Sequence, residues 1–418
     1  MSHFDLLVAG GGSAGLAAAV AGARMGARTL LVERGGSLGG MASAALVHSI
    51  CGLYRLPASP ETAPEFGNGG FAREFALRLL EHGGASGPVR MGRVDVLLQH
   101  PTAFAWMGDL FAREATDLEV RFHTELVAVA PDFESAEICC RGRRETVTMR
   151  ALVDATGDAV AASLGGAASE QEESARLQRP AFIFGLHGVE PAALEETGRL
   201  RVARRIASAV QEGTLAEGAL GAALRGTGRG GEAFVTIDLE GTPTYDPLDS
   251  ECLTQLEMEG RELARTVAEF LRREVPGFEG SFISAFPTRV GIRESRRVTG
   301  QERVEAAHLE AGAESPEAIA LATWPRELRE TARGPRLRFP QNGRPCDIPL
   351  GALRARDHQN LFVAGRCLSS SHEAQASLRV IGTCLATGEA AGLAAALHVA
   401  HGACDAATVR SARERLKR

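Results

Sequence analysis

The apolar positions of this chain fall into short runs separated by glycine-rich breaks, and they predict a layered α/β protein. Residues 4–9, FDLLVA, have the length and apolar content of a buried parallel strand. They lead into a glycine turn and then LAAAVAGARMGA, an alanine-rich helix, followed by TLLVE, a second strand ending at Glu33. ALVD (151–154) and NLFV (360–363) repeat the strand pattern. After the latter, RVIGTCLATGEAAGLAAALHVA predicts a long helix rich in small residues. In between, PAFIFGLHGV (180–189), EAFVTIDL (232–239) and GSFISAFPTRVGI (280–292) read as sheet strands. Residues 250–275 alternate charged and apolar positions at helical spacing, with the charged face solvated.

Composition narrows the class. A chain of 418 residues, 44% hydrophobic and 23% charged, has room for two intertwined domains and a large core. A formal net charge of -6, with both signs interspersed, gives no pull toward nucleic acid or an anionic membrane. No apolar run is expected to reach the roughly 20 residues of a membrane span. The N-terminus lacks the basic start and cleavage site of a signal peptide, so a cytoplasmic location is expected. The eight cysteines form no CxxC pair, no metal site is expected, and adjacent Cys139 and Cys140 read as strand packing.

The glycines carry chemistry through their context. Gly10, Gly12 and Gly15 fit GxGxxG between a strand and a helix. Gly10 permits the tight turn, Gly12 lets backbone approach a pyrophosphate, and Gly15 lets helix pack on strand. Ser13 and Ala14 open the helix whose N-terminus suits the phosphates. Glu33 follows at the distance expected of a ribose ligand. A second match, residues 226–231, precedes a strand instead of following one and reads as a loop.

Three further segments select the nucleotide: RGGSLGGMAS after Glu33, ALVDATGD at 151–158, and NLFVAGR with the small-residue helix behind it. Together with the first motif they resemble the glutathione-reductase-like flavoproteins, and more narrowly the group of FAD-dependent oxidoreductases. The resemblance implies an α/β fold with a discontinuous Rossmann-like FAD-binding domain, residues 1–165 and 340–418. A β-sheet-containing substrate domain, residues 166–339, is inserted. It implies that Arg34, Gly39, Gly40 and Met41 join the first motif in holding FAD, with Ala155, Gly157 and Asp158 packing near the ADP half. It also implies that Gly365 and Arg366 lie near the pyrophosphate and ribityl chain, and that Gly382 and Thr383 open a helix facing the isoalloxazine. FAD bound without a covalent link is the expectation, with attachment through Cys51 as the alternative. The chain departs from aromatic hydroxylases, which have Gly-Asp where it has Gly365-Arg366, and lacks the halogenase WxWxIP motif. It shows no second, well-placed nicotinamide motif.

Catalytic candidates come from segments expected to reach the flavin. In LVHSICGLY, His48 is a candidate base and Cys51 a candidate nucleophile; packing roles are the alternative for both. His372, after Ser369-Ser370-Ser371 in an expected loop, is a second candidate base, and Arg379 a contact for flavin or an anionic substrate. Arg289, Arg293, Glu294, Arg296 and Arg297 form the densest cationic run; Arg293 is the candidate ligand for a substrate carboxylate. The expected function is oxidation of a small organic substrate by hydride transfer to flavin N5, with oxygen or an unidentified acceptor downstream. Two alternatives stand beside it: a monooxygenase fed by a separate reductase, and a flavin-bound electron-transfer or scaffold component of a complex. A homo-oligomer is left open.

Overall fold

In the computed structural model, residues 2–240, 245–331 and 334–416 are described. Five parallel strands form the first sheet, in the order Leu361–Val363, Ala151–Asp154, Leu6–Ala9, Thr29–Val32 and Leu118–Arg121. Leu6–Ala9 lies between Thr29–Val32 and Ala151–Asp154, in register Leu6 to Thr29 and Leu6 to Ala151. These three strands are buried at every residue, which is why their sequences are continuously apolar and not alternating. The chain leaves the carboxyl end of Leu6–Ala9 toward one neighbour and returns to the other much later. That reversal opens a crevice at the carboxyl ends, where open α/β sheets bind ligands.

Helix Ser13–Arg24 and the long helix Ile381–His401 pack against each other beside this sheet. Their axes approach closely because glycines face alanines. A Cβ added to Gly388 or Gly392 would lie 2.1 Å from the carbonyl oxygen of Ala14 or Ala18. The long helix corrects one expectation: it is long and apolar enough, by itself, to cross a membrane. It is the core helix of this fold, buried along most of its length.

A second, antiparallel sheet has the order Ala223–Gly226, Ala233–Asp238, Ala181–His187, Phe282–Ala285. Helix Ser250–Glu274 covers it with Leu256, Ala264, Val267, Phe270 and Leu271. The 226–231 glycines form the hairpin loop between the first two strands, as their polarity predicts. Two hydrophobic cores result. One draws on residues 177–290; the other takes the flanking segments, and it includes Val298, Val304, Leu309 and Ile319. The chain therefore returns to the first core near residue 298, ahead of the expected boundary at 340. Strand Ala318–Ala322 pairs with Cys346–Pro349, which draws this stretch back.

Candidate active site

The glycine turn is built as a phosphate cradle. Gly10 adopts φ +94°, a conformation side chains disfavour, and a Cβ there would meet the Ala155 carbonyl at 2.7 Å. On Gly15 a Cβ would lie 1.7 Å from the Gly10 oxygen. On Gly12 it would meet nothing within 4 Å. Gly12 thus fronts open space at the N-terminus of a twelve-residue helix that has no side-chain cap and no acid in its first turn. Free N–H groups and the positive end of the helix dipole converge there. Gly39 donates its amide to the Gly11 carbonyl and bridges Gly12, folding the second glycine turn with Gly40 and Met41 over the first. Ser13 reaches the Gly39 carbonyl.

Glu33 sits at the end of the neighbouring strand, buried, accepting from the Gly11 and Gly35 amides at 2.7 Å each. These bonds fix its carboxylate beside the cradle. Arg34 is exposed. Ala155 borders Gly10, and Gly365 packs on Ala14, where a Cβ would come within 2.8 Å. Arg366 stacks over Gly157 and pairs with Asp158 at 2.7 Å, while Ser295 also donates to Asp158. One residue from the RESRR neighbourhood was not assigned to the cofactor by sequence. The Arg289 guanidinium lies 3.3 Å from where a Cβ on Gly40 would stand, and its buried Nε has no partner. An open cradle, an uncapped helix end and a cation lacking a hydrogen bond fit the diphosphate of FAD.

Gly382 and Thr383 are placed differently from expectation. The Gly382 amide donates to the Cys51 carbonyl at 2.9 Å, and its Cα abuts Gly52. The Cys51 carbonyl therefore takes one amide of the long helix's first turn, while the buried Thr383 hydroxyl there has no partner. The consequence is that Cys51 and Gly52 are pinned at the helix end. Thr323 also donates to the Gly52 carbonyl.

On this pinned loop His48 is buried and stacks on Phe234, with ring centroids 5.0 Å apart. Nδ1 is 3.2 Å from the Leu46 carbonyl, an acceptor, so the proton resides on Nδ1 and Nε2 carries a lone pair. That Nε2 is buried and has no partner. Burial, with Arg225 nearby, lowers the His48 pKa to about 4, so the ring is neutral. Leu46 itself has φ +56°, a strained conformation of the kind that clusters at functional loops. Burial and Glu327 push the Cys51 thiol up to about 12. A protonated thiol is a poor nucleophile, which disfavours Cys51 as a tether or attacking group.

His372 is not on a loop: it starts the short helix His372–Leu378, since the serine run before it ends where the helix begins. Its Nδ1 meets Glu294 at 2.8 Å and it is 4% exposed. Burial alone would lower its pKa, but the Glu294 carboxylate raises it. Glu294, wholly buried, also accepts from Arg297 at 2.7 Å and from Gln178. Arg296 likewise turns away from the cleft, bonding Asp158 and Ser163. Arg293 is paired with Asp238 at 2.8 Å, and Arg329 takes the second oxygen of the same carboxylate. These ion pairs assign Arg293 to the junction between the two cores; His372 is held there through Nδ1, while its buried Nε2 has no hydrogen-bond partner and lies 3.7 Å from a Glu330 oxygen. Three charged groups of this junction were missed by sequence: Arg225, Glu327 and Arg329. A charge within the strand Ala223–Gly226 was the only local signal for the first.

This geometry defines a nucleotide-binding flavoprotein of Rossmann type. The sequence matches the family of FAD-dependent oxidoreductases over residues 5–416, and the chain belongs to that family: it is an oxidoreductase and its cofactor is FAD. No curated protein sequence matches it. Among solved structures, the flavin-dependent brominase Bmp2 is similar at TM-score 0.51 and 12% identity, over 99% of this chain and 83% of that one. A geranylgeranyl bacteriochlorophyll reductase-like protein from Thermoplasma acidophilum is similar at TM-score 0.49 and 12% identity, over 100% and 84%. The p-nitrophenol 4-monooxygenase PnpA from Pseudomonas putida DLL-E4 gives TM-score 0.48 and 10% identity, over 99% and 84%. At 12% identity the likeness to the brominase speaks to fold alone.

Proposed function

We propose that the protein oxidises a small organic molecule beside His48, with oxygen or another acceptor taking the electrons. The observation that carries this reading is the bare, buried Nε2 of a neutral histidine on the loop pinned to the helix end. FAD, when bound, supplies a two-electron acceptor for the substrate hydride at N5. His48 accepts the proton that leaves with it, from a hydroxyl or amine held against Nε2. The Leu46 carbonyl fixes the tautomer, and Phe234 fixes the ring plane. Cys51 stays a thiol and shapes the wall.

Anaerobic mixing of FAD-loaded protein with small alcohols, amines and hydroxy acids tests the reading. A substrate should bleach the visible flavin band, and air should restore it with release of hydrogen peroxide. H48Q should bleach at least about a hundredfold more slowly while keeping its FAD. Equal rates in wild type and H48Q would remove His48 from the chemistry. Oxygen incorporated into product, only with an added reductase, would replace oxidation by monooxygenation.

A further inference from the structure

The loop 339–345 joins two anchored strands and belongs to neither hydrophobic core. Before it, Arg336–Arg338 pairs with Arg326–Leu328; after it, Cys346–Pro349 pairs with Ala318–Ala322. Its side chains are half-buried or exposed, and Gly343 turns it at φ +69°, where a Cβ would meet nothing within 4 Å.

Polar and ring contacts tie the loop to the body. The Gln341 amide donates to the Glu310 carbonyl and Asn342 Nδ2 to the Ala311 carbonyl, each at 2.9 Å. Arg344 pairs with Glu314, both side chains more than half exposed. On the other side, the Arg93 guanidinium lies over the Phe339 ring, 4.0 Å from its centroid. Arg93 stands at the turn between Ala85–Met91 and Val94–Gln99. Exposed ion pairs and cation–π contacts are individually weak, and segments without core contacts are the ones that open locally.

Under the loop lies a small cavity. Pro340, Arg344 and Pro345 face it from the loop; Leu56, Leu309 and Trp324 give it an apolar side on the body. Its volume is about 10 Å³, room for about one water. Anything larger enters only when the loop lifts. Thr323 also lines this cavity, and its hydroxyl donates to the Gly52 carbonyl at 2.9 Å. The cavity therefore backs on the pinned loop next to Cys51.

We infer that residues 339–345 are a lid, and that lifting it admits a small apolar molecule to the space behind Gly52. That this molecule is the substrate, on its way to His48, rests on the proposed function; the lid itself does not. Lids of this kind need weak closing contacts, because they must open at each turnover.

The test uses FAD-loaded W106F, in which Trp324 is the single tryptophan. Two readouts report opening without turnover: acrylamide quenching of Trp324, and alkylation of Cys346 by iodoacetamide, followed by peptide mass spectrometry. Both residues line the cavity, and Cys346 is buried in the closed state. R344E sets like charge beside Glu314, and F339A removes the ring under Arg93. Each should raise the quenching constant and the Cys346 labelling rate at least about twofold. Sodium chloride at about 0.5 M should raise both in the parent, and R344E should lack that increase. R201E, on an exposed helix face, should change nothing, and half-exposed Cys139 and Cys140 should label alike throughout. Unchanged FAD content would show that the variants are folded. Quenching and labelling that stay at the parent level in R344E, in F339A and in salt would show a fixed loop and overturn the inference. If both rise as expected but flavin bleaching keeps the same dependence on substrate concentration, the lid stands and the route to His48 fails.

Discussion

At Gly12 and Gly15, one motif contains two opposite steric demands. A side chain at Gly12 meets empty space and ordinary backbone angles, so the apoprotein should tolerate it. The same side chain would fill the open volume at the uncapped helix end, where the sequence motif leads one to expect the pyrophosphate. G12V is therefore expected to keep its apoprotein Tm within about 2 °C and to lose FAD affinity by at least about tenfold. At Gly15 a Cβ would penetrate the Gly10 carbonyl, and G15A should be destabilised by about 3 kcal/mol or more, or fail to fold. Thermal melts with and without FAD separate the two. A G12V protein that bound FAD normally would move the diphosphate elsewhere. His48 offers a second prediction at this scale. Its folded pKa, about 4, is below the ordinary 6.5 of the unfolded chain. Above pH 6.5 neither state takes the proton; between 6.5 and about 4 only the unfolded state does. Stability should therefore fall by up to about 3 kcal/mol across that window. H48F, which keeps the stack on Phe234, should lack this component in denaturant titrations at stepped pH.

At the scale of elements, the long helix shows what local reading reaches. Its small residues were legible, but their reason is the approach of helix Ser13–Arg24, which no local window contains. G392A places a methyl within 2.1 Å of the Ala18 carbonyl. It should cost about 2–3 kcal/mol, against about 1 for G402A, where a Cβ meets nothing within 4 Å; the αL backbone at Gly402 contributes most of the latter. Urea midpoints measure both. The FAD cradle was legible because strand, glycines, helix and acid fall within the first 33 residues and constrain one another locally. The buried ion pairs of the junction were not legible, because Arg293 and Arg329 meet on Asp238 from 55 and 91 positions away. Sequence spacing carries no information about which of these meet. His372 illustrates the same limit: a polar run read as a loop closes into a helix whose first side chain finds Glu294, 78 positions away.

For the whole molecule, the junction between the two cores is polar and buried, and this sets its pH behaviour. Gln178 enters from the second core's margin, His372 and Gln375 from the first, and Glu294 accepts from residues on both sides. The folded protein holds the His372 proton more tightly than the unfolded chain, because Glu294 outweighs burial. Its contribution to stability is therefore fully present below pH 6.5 and is lost as pH rises through the raised folded value. That is opposite in sign to His48, so the two partly cancel in wild type and must be read in variants. H372Q keeps a hydrogen-bond donor for Glu294 but no titrating charge. The Tm gap between wild type and H372Q should be widest in mild acid and should narrow as pH rises through the raised folded value. A gap independent of pH would mean that His372 is neutral in the folded state and that Arg297 alone balances Glu294.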